Sequence, residues 1–275
     1  MKLIENNIQK IIDLCKKHKV HKLFVFGSVL TSRFNDNSDV DLIVDFNKAE
    51  VSDYFDNFFD FKYALENLFG RKVDLLEEQT IKNPYLNKLA AGYFVNDPAF
   101  AKAFQFHSAA KSVHHGFVGG LLEHTLSVVK MCDYFAGFYK EINRDLLLTA
   151  AMFHDIGKTK ELSVFPENDY TDDGQLLGHI IIGTEMVSDR IRQIPDFPEK
   201  LAVELKHCIL AHHGELEYGS PKKPALLEAM ALNLADNADA KMETMIEVLR
   251  AAGNNQGWLG YNRLLETNIR KTTEI

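Results

Sequence analysis

Phe153-His154-Asp155-Ile156-Gly157-Lys158 closes an apolar run and places a histidine directly beside an aspartate. Adjacent residues of a helix point about 100° apart, so both side chains can face one partner only where the helix ends. Gly157 can adopt the left-handed conformation that terminates a helix, and an imidazole and a carboxylate can then converge on one cation. A His-Asp pair is expected by chance in a chain of this size, so its weight depends on the other histidines.

Nine of the eleven histidines follow residue 100. Residues of metal-ligand type with apolar neighbours occur on separate predicted helices or helix ends: His124, His154, Asp155, His179, His212, His213 and Asp236. A single histidine is more often a core or surface group, but such a set rarely arises by accident. Imidazole and carboxylate ligands suit Mn, Fe, Ni, Co or Zn ions. The set is large enough for two ions, with Asp155 bridging them and a water between them as nucleophile.

Three residues near this set have two interpretations each. Lys158 is either a charge partner for a helix end or a phosphate contact. His114 and His115 either bind substrate or cap the following helix.

Carboxylates also cluster near the N terminus. Asp39 and Asp41 are two residues apart at the start of a predicted strand, so both point to one face, and Asp74 in the next strand can add a third carboxylate. Such a group suits Mg²⁺ together with substrate phosphates. Gly27-Ser28 follows an earlier strand, where glycine lets the backbone approach a triphosphate and a helix N-terminus favours anions. This pattern predicts nucleotidyl transfer by two-metal catalysis, although Asp-x-Asp alone is more often a turn and strand start.

Helix and strand patterns alternate through residue 76 and give way to helical patterns afterwards. We predict helices over 52–69, 84–91, 98–106, 119–139, 144–155, 177–193, 198–211 and 224–251. The predicted domains are therefore residues 1–85, an α/β module with a small mixed sheet and flanking helices, and residues 86–275, an all-α bundle.

Composition excludes several classes of protein. The net charge is −8, whereas a protein that holds nucleic acid by charge alone is strongly basic. If the substrate is a polynucleotide, metal ions and a few lysines must hold it. No apolar run suggests a membrane helix, and the polar start shows no secretory signal. Three cysteines without Cys-x-x-Cys indicate reduced thiols. We expect a cytoplasmic protein without a membrane partner.

The first module resembles the minimal nucleotidyltransferases of the DNA polymerase β superfamily. The resemblance covers about residues 1–90 and rests on Phe26-Gly27-Ser28-Val29, Ser38-Asp39-Val40-Asp41-Leu42, Gly70-Arg71-Lys72-Val73-Asp74-Leu75 and Lys82-Asn83-Pro84-Tyr85. It implies Mg²⁺ on Asp39, Asp41 and Asp74, and nucleotide phosphate near Gly27 and Ser28. Many relatives carry an arginine-glycine pair shortly after Gly-Ser, where this chain has Leu30-Thr31-Ser32.

The second module resembles the HD-domain phosphohydrolases, and within them the HD-type 3′-to-5′ exoribonucleases of the YhaM family. The resemblance runs from about residue 90 onward, on residues 108–115, 119–125, 153–158, 177–179, 211–221 and 235–241. It implies metal binding by His124, His154, Asp155, His179, His212, His213 and Asp236. We expect Asp155 and Lys158 to take part in catalysis. Those nucleases carry an N-terminal OB-fold that grips single strands, and here a nucleotidyltransferase-like module stands in its place.

Together the two resemblances imply an HD-type phosphodiesterase with two metal ions, a 3′-to-5′ exonuclease on single-stranded RNA or short oligonucleotides. Its N-terminal module would transfer nucleotides from a bound nucleoside triphosphate, in the manner of an adenylyltransferase. The alternative is a hydrolase of small nucleotides whose N-terminal module senses a nucleotide or binds without catalysis. A homo-oligomer and a protein target of nucleotidyl transfer remain open.

Overall fold

The chain divides into two compact units, residues 1–80 and 81–275. The computed structural model describes residues 2–26, 29, 34–35, 38–47, 50–51, 54–77, 81–111, 116–253, 255 and 257–273. The division precedes a helix that begins at Pro84, which a boundary at residue 85 would cut. We therefore propose the boundary between residues 80 and 81 in place of residue 85.

The first unit is a three-stranded sheet with helices. Its elements are α1 (Lys2–Asn6), α2 (Ile8–Lys17), β1 (Val20–Phe26), β2 (Val40–Phe46), α3 (Tyr54–Phe69) and β3 (Val73–Glu77). The strand order is β1-β2-β3, with β1 antiparallel and β3 parallel to β2. Alternate residues of β2 are buried, and they share one apolar core with Phe61 and Leu65 of α3. The predicted small mixed sheet is confirmed.

The second unit is mainly helical, as predicted. Its helices are α4 (Pro84–Phe94), α5 (Pro98–Phe106), α6 (Gly120–Phe138), α7 (Arg144–Phe153), α8 (Lys158–Glu161), α9 (Asp172–Leu176), α10 (Gly178–Arg192), α11 (Glu199–Leu210) and α12 (Leu227–Ala251). A hairpin of β4 (Trp258–Asn262) and β5 (Thr267–Arg270) follows, which the sequence interpretation did not include. In the described residues, no helix combines the length and apolarity needed to cross a membrane.

Helix α7 is the centre of this unit. It is apolar on nearly all sides, with Leu147 and Phe153 fully buried, and it packs against α4, α6, α11 and α12. A helix buried all round must be enclosed by other helices. The residues that follow α7 are therefore surrounded by side chains from several elements.

Helix α4 belongs to the same core. Asn83 caps it by accepting hydrogen bonds from the backbone N–H groups of Tyr85 and Leu86, and Pro84 occupies its first position. Its buried side chains pack with the core of the second unit, and the hydroxyl of Tyr93 donates a hydrogen bond to the Met186 carbonyl at 2.7 Å.

Candidate metal centre and nucleotide site

The histidines and aspartates singled out in the second unit come together at the end of α7. His154 and Asp155 directly follow α7. The other members are His124 from the second turn of α6, His179 from the start of α10, His212 and His213 from just after α11, and Asp236 from α12. His124, His154, Asp155 and His212 are each at most 3 % exposed.

Gly157 is required here for a reason other than the expected one. Its φ of −65° and ψ of −22° are right-handed helical, so the prediction of a left-handed helix terminus is wrong. A Cβ atom at residue 157 would instead overlap the carbonyl oxygen of His179 and lie 2.7 Å from the backbone nitrogen of Gly183. The missing side chain therefore lets the start of α10 approach the His-Asp segment directly.

Ligand atoms in this site form two groups. The atoms of His124, His154 and Asp155 lie within 4.8 Å of one another, and so do those of His179, His212 and His213. No further group of this kind occurs among the described residues.

Asp155 joins the two groups. Its Oδ2 is 3.4 Å from His124 Nε2 and 3.5 Å from His154 Nε2. Its Oδ1 is 3.5 Å from His179 Nε2 and 3.7 Å from His212 Nε2. Each oxygen of one carboxylate thus faces a different group of imidazoles.

Asp236 and Lys158 flank the first group. Asp236 Oδ1 is 3.2 Å from His124 Nε2 and 3.9 Å from His154 Nε2. Lys158 Nζ is 2.6 Å from Asp155 Oδ2. Asp236 therefore offers a further oxygen, and Lys158 places an ammonium group at the same carboxylate.

Outer hydrogen bonds fix the orientation of four imidazoles. The Nδ1 atoms of His154 and His212 donate to the carbonyls of Ala151 and Ile209 at 2.8 and 2.7 Å. Their Nε2 atoms therefore point inward as acceptors in the neutral ring.

Two carboxylates hold the remaining rings in the same way, and both were missed as site residues. Asp239 Oδ2 lies 2.7 Å from His124 Nδ1, and Glu161 Oε1 lies 3.0 Å from His179 Nδ1. Asp239 follows Asp236 by three residues on α12, a spacing that puts both on one helix face and could have indicated it. Glu161 gives no comparable signal, since an acidic residue in a short polar helix usually faces solvent.

Buried polar atoms without hydrogen-bond partners converge on this centre. Within the described part of the chain, Asp155 Oδ1, His179 Nε2 and His212 Nε2 have no hydrogen-bond partner. Leaving a buried polar atom unpaired costs about 1–3 kcal/mol. Divalent cations between these acceptors would satisfy all three atoms, so the residues present fit a metal centre.

The protonation states suit cation binding. Burial lowers the pKa of His154 and lowers that of His212 well below its usual value, which favours neutral rings. Burial alone would raise the pKa of Asp155, but the charges of Lys158 and the surrounding histidines hold it well below its usual range. Burial alone would lower the pKa of Lys158, but the Asp155 carboxylate outweighs burial and raises it. Neutral imidazoles and an ionised carboxylate are the ligand forms of these residues.

His124 differs from the other buried histidines. Burial lowers its pKa, but hydrogen bonds to Asp236 and Asp239 outweigh burial and raise the value to about 9. In the metal-free protein it therefore carries a proton that a bound cation would replace.

A cavity of about 350 Å³ adjoins the centre. It is lined by Ala109, His124, Asp155, Lys158, His213, Asp236, Asn237 and Ala240. Its walls include Asp155 and Lys158 together with two small alanines, which leaves room for a substrate beside the carboxylate.

In the first unit the predicted carboxylates are neighbours. Asp41 of β2 lies opposite Asp74 of the parallel strand β3, so their side chains share one face at one end of the sheet. Asp39 is exposed and precedes Asp41 by two residues. Arg71 anchors the segment before Asp39, because its Nη1 donates to the carbonyl of Ser38 at 3.0 Å. Gly27, Ser28, His114 and His115 lie outside the described residues.

Comparison with protein families supports both modules. Residues 8–95 match the model of the nucleotidyltransferase domain, and residues 121–241 match the model of the HD domain. The second match contains every residue of the centre, from His124 to Asp236. HD domains bind divalent metals, in agreement with the His/Asp cluster.

Curated relatives match somewhat less than two thirds of the chain. The 3′-5′ exoribonuclease YhaM of Bacillus velezensis is 39 % identical over 169 residues, which is 62 % of this chain and 52 % of that protein. The YhaM of Bacillus subtilis is 38 % identical over the same length, and that of Halalkalibacterium halodurans is 35 % identical over 181 residues, 64 % of this chain and 55 % of that protein. The chain thus spans about half the length of these relatives. No solved structure matches. Both resemblances inferred from the sequence are confirmed: the chain carries a nucleotidyltransferase domain followed by an HD domain.

Proposed function

We propose that the second unit is a metal-dependent phosphodiesterase that removes nucleotides from the 3′ end of single-stranded RNA or short oligonucleotides. The main support is Asp155, whose two oxygens face two separate groups of histidines. A carboxylate with nitrogen ligands on both sides suits a pair of metal ions that act on a phosphodiester. The YhaM relatives, which are 3′-5′ exoribonucleases, support RNA as the substrate.

The two groups define the proposed ligands. One ion would be held by His124, His154, Asp155 and Asp236, and the other by His179, His212, His213 and Asp155. Nitrogen and carboxylate ligands without sulfur suit ions of the Mn, Fe, Ni, Co or Zn type. Bound divalent ions lower the pKa of a coordinated water and polarise a phosphoryl oxygen.

Other residues of the centre would neutralise the charge of the substrate phosphate or hold the imidazole ligands in position. Lys158 lines the cavity beside Asp155, where its ammonium group can bind a phosphate oxygen of the substrate. Asp239 and Glu161 keep the Nε2 atoms of His124 and His179 directed inward. His114 and His115 stay proposed substrate contacts.

A second candidate is hydrolysis of small nucleotides, with the N-terminal unit as a sensor or binding module. Two observations favour it. The cavity of about 350 Å³ is of the size that small-molecule sites have. The net charge of −8 does not attract long polyanions.

Degradation of end-labelled RNA tests the proposal. With Mn²⁺ we expect a single-stranded oligonucleotide labelled at its 5′ end to yield a ladder of labelled products that shortens from the 3′ end. EDTA should abolish the ladder, because the site needs divalent ions. Early release of the 5′ label as a mononucleotide would contradict the direction. Hydrolysis of free nucleotides with intact RNA would favour the second candidate instead.

We propose that the first unit transfers nucleotides from a nucleoside triphosphate, with Mg²⁺ on Asp39, Asp41 and Asp74 and the phosphates near Gly27 and Ser28. The pairing of Asp41 with Asp74 across parallel strands supports this, since both carboxylates can reach one ion. The acceptor would be an RNA end or a protein.

Asp41→Asn should lower incorporation of label from ATP by about a hundredfold or more, because one charged ligand of the Mg²⁺ site is lost. Asp45→Asn is the matched control, as Asp45 lies on the same strand and pairs with His21 at 2.9 Å. Labelling is measured with RNA and with protein as acceptor. Undiminished labelling by Asp41→Asn would overturn the assignment, and ATP binding without labelling by the unmodified chain would favour a sensor.

A further inference from the structure

The hairpin of β4 and β5 has an ordered turn. Asn262 Oδ1 accepts hydrogen bonds from the backbone N–H groups of Leu264 and Leu265 at 2.9 and 3.0 Å. An asparagine side chain that bonds the backbone two and three residues on stabilises such a turn. The hairpin therefore presents its side chains on a defined framework.

One face of the hairpin carries its aromatic residues. Trp258 lies opposite Arg270 and Tyr261 lies opposite Asn268, with a register irregularity between Trp258 and Gly260. Asn268 and Arg270 are two residues apart in β5 and hence share a face. Residues opposite one another across two strands also share a face, so Trp258, Tyr261, Asn268 and Arg270 all lie together.

This face is turned to solvent. Trp258 is 68 % exposed and Tyr261 is 62 % exposed, and Asn268 and Arg270 are exposed as well. Ile269, which lies between them in β5 and points the other way, is 2 % exposed. The other face of the hairpin thus carries a buried side chain, while two rings, a guanidinium and an amide are accessible on this face.

The charge of the hairpin is opposite to that of the whole chain. Residues 257–273 contain Arg263, Arg270 and Lys271 against Glu266, a local net charge of +2, while the whole chain carries −8. A local cationic segment on an acidic protein favours a polyanion over an acidic or neutral partner.

Aromatic rings combined with cationic side chains suit single-stranded nucleic acid in particular. Exposed rings stack on unpaired bases regardless of sequence, and arginine adds backbone and cation–π contacts. The two ring positions are about 7 Å apart along the strands, which matches two stacking intervals of about 3.4 Å. Bases of a duplex are already stacked and paired and cannot use these rings.

We propose that the face formed by Trp258, Tyr261 and Arg270 binds the bases of single-stranded RNA and holds the substrate of the metal centre. This rests on the proposed exonuclease function, in which a polymer must stay bound while its end is shortened. The hairpin adds base and phosphate contacts on a cationic segment of a chain whose net charge is −8.

Steady-state kinetics on an oligoadenylate of about 20 nucleotides tests the proposal. Trp258→Ala and Arg270→Gln in the full chain should each raise KM about tenfold, because base stacking and a phosphate contact are lost, while kcat changes little. Trp258→Phe should keep most of the binding. Tyr134→Ala is the matched control, since Tyr134 is also 68 % exposed but lies on α6. Hydrolysis of bis(p-nitrophenyl) phosphate by each preparation measures the metal centre separately.

Trp258 also reports binding directly, because it is the single tryptophan of the chain. An oligoadenylate with phosphorothioate linkages, which resists hydrolysis, should quench its emission, and a duplex of equal length should not. A KM within twofold of the unmodified chain for Trp258→Ala, together with unchanged emission, would overturn the proposal. If the chain hydrolyses neither substrate, the proposed function fails, whereas quenching still decides whether the hairpin binds RNA. If Trp258→Ala changes the oligomeric state, and RNA does not alter the Trp258 emission of the unmodified chain, the face is a protein interface instead.

Discussion

Asp155→Ala should lower kcat for phosphodiester hydrolysis on the order of a thousandfold or more. Changes in groups that merely orient metal ligands cost about 10–100-fold, and Asp155 faces both histidine groups directly. Its removal takes away a carboxylate that both groups share. The expected metal content therefore falls for both sites, while His213→Ala should affect mainly the group to which His213 belongs.

Stability must be measured beside activity for this change. Loss of Asp155 leaves the ammonium group of Lys158 without its partner at 2.6 Å, and breaking a buried ion pair costs about 3–5 kcal/mol. Asp155→Asn keeps the shape of the side chain and separates charge from volume. Asp189→Ala is the control, because Asp189 is exposed and pairs with Arg192 on the surface. A folded Asp155→Asn protein with both ions bound and hydrolysis within tenfold of normal would rule out a bridging role.

Gly157→Ala should both destabilise the protein and reduce hydrolysis. The backbone of Gly157 is in a conformation that alanine adopts freely, so the effect comes from the new Cβ, which would overlap the carbonyl of His179. Overpacking of this kind costs about 1–3 kcal/mol or more, which corresponds to a decrease of roughly 2–12 °C in melting temperature. Displacement of His179 by about 1 Å can lower kcat about a hundredfold.

Gly137→Ala is the matched control for that change. Gly137 lies in α6, is exposed, and no atom lies within 4 Å of a Cβ built there. Alanine is favoured over glycine in a helix by about 1 kcal/mol, so the melting temperature should stay constant or rise slightly. Thermal unfolding and RNA hydrolysis of both variants provide the comparison. An unchanged melting temperature with full activity for Gly157→Ala would show that α10 adjusts without cost.

The sequence predicts the candidate metal ligands better than the residues that hold these ligands in position. His124, His179 and His212 stand out because imidazoles flanked by apolar residues on separate helices rarely occur together unless they share a ligand. Glu161 has the sequence surroundings of an ordinary surface acid, and only the spacing from Asp236 indicates Asp239. The role of both carboxylates depends on which imidazole ring lies beside them in the fold. The need for glycine at residue 157 arises from the approach of α10, a tertiary contact that local sequence does not encode.

Secondary structure was predictable where periodicity or capping is strong. Asn83-Pro84 and Asp97-Pro98 mark the starts of α4 and α5, and Asn143 marks that of α7. The hairpin was missed because an irregular register breaks the alternation of β4, so Trp258 and Tyr261 do not follow a two-residue period. Without that period, the sequence of this segment has the pattern of a loop.

The position of α4 determines how the two modules can be separated. The nucleotidyltransferase match extends to residue 95, and the HD match begins at residue 121. Yet Leu86 and Leu89 are fully buried in the core that also contains α7. A truncated protein that begins at residue 96 would therefore lack an internal helix of its own core and expose apolar surface that promotes aggregation. Expression of the helical part alone should begin before Asn83, so that α4 keeps its cap and its place.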